Sequence, residues 1–236
     1  MPRRQLSSRR ESHADDTRRA LLAAARRAFA RKGYADTSLD DIVGPARVTK
    51  GALYHHFSSK EALLAAVYVA LEQELVARVR TAVEAAGDDA SARHTAALEA
   101  FLDASAEPEY VRIVLRDAPH VLGAQQGREL DQRIGLDLVC ELVTDLAAAG
   151  RLPKLPVQAT ARVLLAAVSE VVLSMAESKE PRRARKEGSA VLAALFEGLA
   201  LRAADEQRPD ASPRTNARSN GARREKRPAA AGRDAQ

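Results

Sequence analysis

Apolar residues recur along this chain at every third or fourth position and almost nowhere at every second one. Leu21, Leu22, Ala25, Ala28 and Phe29 form one such stripe, with arginines on the opposite face. Alternation of β-branched residues never persists beyond a few positions, so the pattern predicts an all-α fold. The punctuation between stripes sets the elements. A first helix is expected over 14–32, closed by Gly33 in a left-handed C′ position and favoured by Arg31 and Lys32 at its negative end. Thr37 or Ser38 then caps a short second helix that has Asp40 and Asp41 in its first turn and weakens at Gly44 and Pro45, near Ala46. Thr49 caps a third helix over 50–56. Ser58 with Glu61 scores as a capping box for a long helix over 59–86, ended by Gly87. Further helices are predicted over 90–104, 108–117 (interrupted by Pro119 and Gly123), 126–149, 157–178 and 181–205, about nine in all.

Composition adds two things. After Glu206 the chain holds no Leu, Ile, Val, Phe, Tyr or Met, so residues 206–236 are expected to form a disordered basic tail, and residues 1–13 a disordered basic arm. Charge is also unevenly placed: +5 over residues 1–72, −4 over 73–205 and +4 over 206–236. A basic front and an acidic middle suggest that the front, not the middle, meets a polyanion. One cysteine, Cys140, excludes an intrachain disulfide and fits a reducing compartment. The N-terminus lacks an apolar signal region, and the longest apolar run falls far short of the roughly 20 residues that span a bilayer. A cytoplasmic protein is expected, with no membrane partner.

The rings are as unevenly spread as the charge. Five of the eight Phe and Tyr residues lie between Phe29 and Tyr68, and "RVTKGALYHHF" (47–57) puts four rings in a row beside a lysine and a glycine. Two short helices around a three- to four-residue turn, set between longer helices, make a helix-turn-helix candidate. Leu39, Ile42 and Val43 give the second helix an inward face, and Val48, Leu53 and Phe57 do the same for the turn and third helix. The other side of the third helix then offers Thr49, Lys50, Gly51, Ala52, Tyr54 and His55 to a partner. Gly51 and Ala52 remove bulk where a helix enters a major groove about 12 Å wide. Lys50 can bond guanine O6 or N7 or a phosphate, Ala52 can contact a thymine methyl, and Tyr54 and His55 can grip phosphates. Lys60, in the first turn of the next helix, joins a cation to a helix N-terminus, a good phosphate position.

The segment "GYADTSLDDIVGPARVTKGALYHHFSSKEALLAAVY", with the helix before it, closely resembles the N-terminal domain of the tetracycline-repressor (TetR) family of bacterial transcription regulators. The resemblance covers residues 17–68 without a gap. It rests on Thr37, Asp41-Ile42, Val48-Thr49-Lys50-Gly51, Leu53-Tyr54, His56-Phe57 and Ser59-Lys60-Glu61. Two positions depart from the family pattern. Arg47 stands where the turn usually has glycine, costly if φ is positive there but able to add a phosphate contact, and Pro45 removes one amide donor late in the second helix. With Ser38 and Thr37 at the cap, the candidate DNA-binding set is Thr37, Ser38, Arg47, Thr49, Lys50, Gly51, Ala52, Tyr54, His55 and Lys60. The domains expected are 14–58 for DNA binding and 59–205 for ligand binding and dimerisation.

What the resemblance implies for the acidic half is a homodimer on double-stranded operator DNA, usually a repressor released by a small-molecule effector; an activator or co-regulator of the same fold without such a ligand is the alternative. The last two helices are apolar around more than one stripe, which fits a four-helix dimer interface that includes Val168, Val171, Val172, Met175, Val191, Leu195 and Leu199. Polar groups among apolar neighbours make Tyr110, Arg116, His120, Cys140, Glu141, Ser169, Glu170 and Ser174 the candidate effector contacts; Glu141 and Glu170 suit a cationic ligand. No cofactor is expected. Adjacent histidines such as His55 and His56 point in different directions and lack a ligand-spaced partner, so no metal is expected. Asp40 and Asp41 read as caps rather than paired catalytic carboxylates. The chain carries no nucleophile triad or phosphate loop, which argues against an enzyme.

Overall fold

The structure, a computed structural model, describes the backbone of residues 3–206 and the side chains within that range other than those of 3–12, 124, 126–133 and 205–206. Among the described residues every regular element is helical: α1 (Arg3–Lys32), α2 (Asp40–Ala46), α3 (Lys50–His56), α4 (Lys60–Ala85), α5 (Ala90–Ser105), α6 (Pro108–Tyr110), a π-helical segment (Val111–Asp117), α7 (Ala118–Leu122), α8 (Ala124–Ala148), α9 (Val157–Glu177) and α10 (Pro181–Glu206). The segment from α6 to α7 runs as one rod, so the rods number nine, as expected. The predicted tail over 206–236 lies outside the described residues beyond Glu206, where α10 ends.

Three boundaries differ from the expected ones for local physical reasons. Helix α1 begins at Arg3, not near Ala14, so its backbone extends into the segment 1–13 expected as a disordered arm. Once a helix is nucleated, each added residue gains a hydrogen bond without paying nucleation again, and arginine, glutamine and leucine extend it readily. Ser59, rather than the Ser58–Glu61 pair, caps α4, with its hydroxyl accepting from the Ala62 amide at 3.0 Å. The rod continues through Pro119 to Leu122 instead of stopping near 117, because its middle is wound as a π-helix, in which the Ala118 amide reaches back to the Ile113 carbonyl.

One buried cluster runs through both halves of the molecule. It joins Leu21, Ala25 and Phe29 of α1, Ile42 and Val43 of α2, Leu53 of α3 and Phe57 to Leu63, Leu64 and Val67 of α4. It then passes on to Val79 and Val83, Ile113 and Val114 of the rod, and Leu138 and Leu142 of α8. No break in packing falls at residue 58, because α4 serves both halves. Leu53 and Leu64 are fully buried, and truncating such a residue to alanine costs about 2–5 kcal/mol. Two smaller clusters hold the far end: Val143, Leu146, Leu152 and Ala161 in one, and Leu102, Val172 and Met175 in the other.

Helices α9 and α10 pack closely at Gly188, where an added Cβ would lie 2.5 Å from Cγ1 of Val171. By length and composition α9 is the one described helix apolar enough to cross a membrane, yet it packs on α8 and α10 along one side. Its other side is exposed.

Candidate nucleic-acid interface and ligand cavity

The reading head is assembled by α1 to α3 and the start of α4. Ser38 begins it: its hydroxyl accepts from the Asp41 amide at 3.2 Å, while the Asp41 carboxylate accepts from the Ser38 amide and hydroxyl at 3.0 and 2.8 Å. This reciprocal box begins at Ser38, one residue before the geometric N-cap, Leu39. Lys32 donates to the other Asp41 oxygen at 2.6 Å, and with Ser38 holds this carboxyl well below the usual carboxylate range. Helix α2 accommodates Pro45 in its last turn and ends at Arg47, whose φ of 56° and ψ of 40° are left-handed. The costly conformation foreseen for a non-glycine residue in this turn is therefore present. Thr49 caps α3, its hydroxyl accepting from the Ala52 amide at 3.1 Å.

Thr49, Lys50, Gly51, Tyr54 and His55 form one exposed face of α3, with Ala52 half-buried beside them, and Arg47 and Ser38 are exposed close by in the chain. Tyr54 keeps 53% of its surface exposed, while Leu53 next to it has none. A Cβ on Gly51 would meet only the Thr49 hydroxyl, at an ordinary 3.7 Å. Nothing inside the fold therefore requires glycine here, and the missing side chain clears space on the outside. Lys50 pairs with Asp40 at 2.9 Å across an exposed ion pair, a weak restraint that a stronger anion can displace.

Two predicted contacts take other roles. Thr37 is 1% exposed and donates its hydroxyl to the Gly33 carbonyl at 2.6 Å, so it closes the α1–α2 turn and cannot reach DNA. Lys60 turns inward, donating to the carbonyls of Tyr34 and Thr37 at 2.8 and 3.0 Å with its ammonium 4.1 Å from the Tyr34 ring. It ties α4 to the same turn instead of facing a phosphate. A cation beside these turn carbonyls is better solvated there than at the helix N-terminus, where the dipole is positive.

The rod joins this head to the second half. Arg112 donates to the Lys32 carbonyl at 2.8 Å, a cation on the negative end of α1, and the Asp117 carboxylate accepts from the Tyr34 amide at 2.8 Å. Arg26 forks onto Glu109 at 2.9 and 2.7 Å and also reaches Glu74 at 2.7 Å, which holds its guanidinium above its ordinary range. Gly33 is required between these contacts: φ is +82°, and a Cβ would fall 2.5 Å from Arg112 Nη2.

Beyond the rod, α4, α5, the rod, α8 and α9 enclose a cavity of about 630 Å³. Leu75, Val79, Leu98, Leu138, Leu142 and Leu146 supply much of the wall. Of the predicted effector contacts, Tyr110, His120, Ser169 and Glu170 line it. The others do not. Arg116 is exposed and donates to the Ala176 carbonyl, Glu141 is bound to Arg80 at the surface, Cys140 packs among apolar neighbours of the Leu146 cluster, and Ser174 is exposed with its carbonyl accepting from Ser178. Each sits on a face of its helix turned from the cavity, which spacing from apolar neighbours alone could not decide. Sequence reasoning missed Glu72 and His94. Both carried a signal: Tyr68, Glu72, Leu75 and Val79, and likewise His94, Ala97, Leu98 and Phe101, fall on single helical stripes. The His94 ring lies 4.0 Å from that of Phe196, and burial pushes its pKa down.

The predicted dimer set divides in two. Val172 and Met175 are buried in the protomer's own core, with Val168 and Val171 packed against them, and Leu199 packs on the Leu146 cluster. These belong to the inward stripe of each helix, so they are corrected to core residues. Val191 and Leu195 are exposed, together with Val163, Leu173 and Leu201, which sequence reasoning passed over.

A helix-turn-helix head, its third helix bare at a glycine, joined by a shared long helix to a helical domain around a cavity, is the build of a DNA-binding transcriptional regulator. Residues 21–67 match the family described as bacterial regulatory proteins, tetR family, and residues 91–199 match the tetracyclin repressor-like C-terminal domain. A crystal structure of a TetR-family transcriptional regulator from Pectobacterium atrosepticum is 35% identical, with a TM-score of 0.71 over 80% of this chain and 97% of that one. The chain belongs to the TetR family of transcriptional regulators. The transposon Tn10 TetC protein of Escherichia coli is 48% identical over 60 residues, 25% of this chain and 29% of that protein. The transcriptional activator FasR of Mycolicibacterium smegmatis is 42% identical over 89 residues, 38% of this chain and 40% of that protein. The match thus spans well under half the length of these curated relatives.

Proposed function

We propose that this protein is a homodimeric repressor that holds a palindromic operator until a small molecule enters the cavity. The observation that carries the reading is the placement of Tyr110: its ring lines the cavity, and its rod donates Arg112 and Asp117 to the end of α1 that precedes the reading head. An occupant that moves the rod moves the head. Lys50, Gly51 and Ala52 meet base edges, while Ser38, Arg47, Thr49, Tyr54 and His55 contact phosphates and set the register. Val163, Leu173, Val191, Leu195 and Leu201 supply the apolar centre of the dimer. A twofold pair of such heads reads half-sites about 34 Å apart, one turn of the duplex.

Selection of bound fragments from the source genome tests this. The expected product is an inverted repeat bound with a dissociation constant on the order of 10⁻⁸ M or tighter. Failure to enrich any site refutes the reading. Leu195→Glu should leave a folded monomer with operator affinity reduced at least about a hundredfold. Enriched sites overlapping a promoter support repression, and sites lying upstream of it support activation, the role that FasR is named for.

A further inference from the structure

Glu72 is the exceptional residue of the cavity wall. It is 6% exposed on the stripe of α4 that otherwise presents Tyr68, Leu75, Val76 and Val79. The Tyr110 hydroxyl donates to its Oε1 at 2.5 Å. A carboxylate accepts from as many as four donors, so this bond is compatible with a ligand N–H on the same group. Among the described residues, the other formally charged groups of the wall lie at its exposed rim on α9: Glu170 and Glu177 against one guanidinium, Arg162. His94, whose pKa burial pushes down, adds a neutral ring that accepts or donates. The depth of the cavity is therefore apolar apart from Glu72, Tyr110 and His94, and among the described lining residues acidic groups outnumber the one arginine. An anionic ligand would set its charge against Glu72 in surroundings that screen poorly. A cation instead gains a charge-assisted hydrogen bond there, while Leu, Val and Phe side chains take its apolar body.

We infer that the effector is a lipophilic cation, an ammonium-type head seated at the Glu72–Tyr110 pair with an aliphatic or alicyclic body along the Leu138–Leu142 wall. This rests on the reading of the cavity as the effector site. Three probes of one chain length isolate the head group: n-decylammonium, n-decanol and n-decanoate, titrated calorimetrically into the full-length protein at neutral pH below their micelle thresholds. Each is also scored for release of the selected operator. The ammonium is expected to bind at least about tenfold tighter than the carboxylate and to release the operator. Glu72→Gln keeps an acceptor for Tyr110, and should lower ammonium affinity about tenfold while leaving decanol within about twofold. Decanoate binding as tightly as the ammonium, or ammonium affinity indifferent to Glu72→Gln, overturns the inference. If that variant does not fold, the order of the three probes on the wild type decides alone. Release by decanol or decanoate without a preference for the cation discards the ligand class and keeps the effector reading. No binding and no release by any of the three discards both.

Discussion

Arg47→Gly separates a conformational cost from a contact with DNA. Arg47 is the one non-glycine residue with positive φ among those described, and its amide closes α2 onto the carbonyls of Val43 and Gly44. An L-residue in this region pays about 1–2 kcal/mol that glycine does not. Glycine gives back about 0.4–1 kcal/mol through the greater freedom of its unfolded chain. The Arg47 side chain is exposed and enters no hydrogen bond or ion pair with the described residues, so its removal sacrifices little else. The net expectation is a gain of about 0.5–1 kcal/mol. Urea denaturation at fixed protein concentration should show it as a higher midpoint with an unchanged slope. Arg47→Ala, which keeps the left-handed strain and loses the side chain, should fall at or below the wild type. In parallel, both variants should bind operator more weakly, with the salt dependence shallower by about one phosphate contact. A glycine variant no more stable than the alanine variant would refute the strain argument. An unaltered salt slope would refute the phosphate contact while leaving the strain argument standing.

Other perturbations follow from single contacts. Lys60→Met removes two hydrogen bonds to turn carbonyls and should cost about 1–3 kcal/mol, with operator binding weakened but its salt slope unchanged; a shallower slope would restore the phosphate role. Gly188→Ala should destabilise the α9–α10 pair by about 1–3 kcal/mol, and adding Val171→Ala should recover part of that in a double-mutant cycle. Burial holds the His94 pKa below its ordinary 6.5, so the folded state binds fewer protons than the unfolded one as pH falls through 6.5. Its contribution is thus complete above about pH 6.5 and is lost below it, toward the folded pKa. Urea midpoints compared at about pH 5.5 and 7.5 should show a smaller acid loss in His94→Phe than in the wild type.

Helix existence was legible because it depends on period and punctuation, which are local. The stripe 21–29, Gly33, Thr49, Gly123 and Gly150 each act within a turn of their own position, and the helices they bound lie where expected to within a few residues, except that α1 begins at Arg3. The inward faces of the reading head were legible for the same reason: Ile42, Leu53 and Phe57 repeat at helical spacing. Roles that depend on a third element were not. Lys60 has the composition of a phosphate site, but the α1–α2 turn brings two carbonyls to it from 23 and 26 residues away. Thr37 looks like a cap and is instead enclosed by the same turn. On α9 and α10 nearly every position is apolar, so period alone could not say which stripe met the protomer's own core and which was left outside. Glu72 was hidden for the opposite reason: a carboxylate on an apolar stripe reads as a surface residue until the rod places a phenol over it.

The joint between the two halves combines materials that respond differently to movement. Between α1 and α4 the contact is mainly apolar, through Leu21, Phe29, Leu64 and Val67, with the Arg26–Glu74 ion pair beside it, and close-packed interiors do not deform gradually. Between α1 and the rod it is polar: Arg26 with Glu109, Arg112 with the Lys32 carbonyl and Asp117 with the Tyr34 amide. Directional bonds of this kind hold one register and must break to adopt another. The π-helical segment lies between them and carries Arg112 at one end and Asp117 at the other. A shift of its winding toward α would rotate Arg112 and Asp117 relative to one another, so both grips on the end of α1 cannot survive it. Val114, between them in sequence, lines the cavity. The rod thereby lines the cavity and also holds the residues at the end of α1, while the packing of α1 on α4 lies beside it.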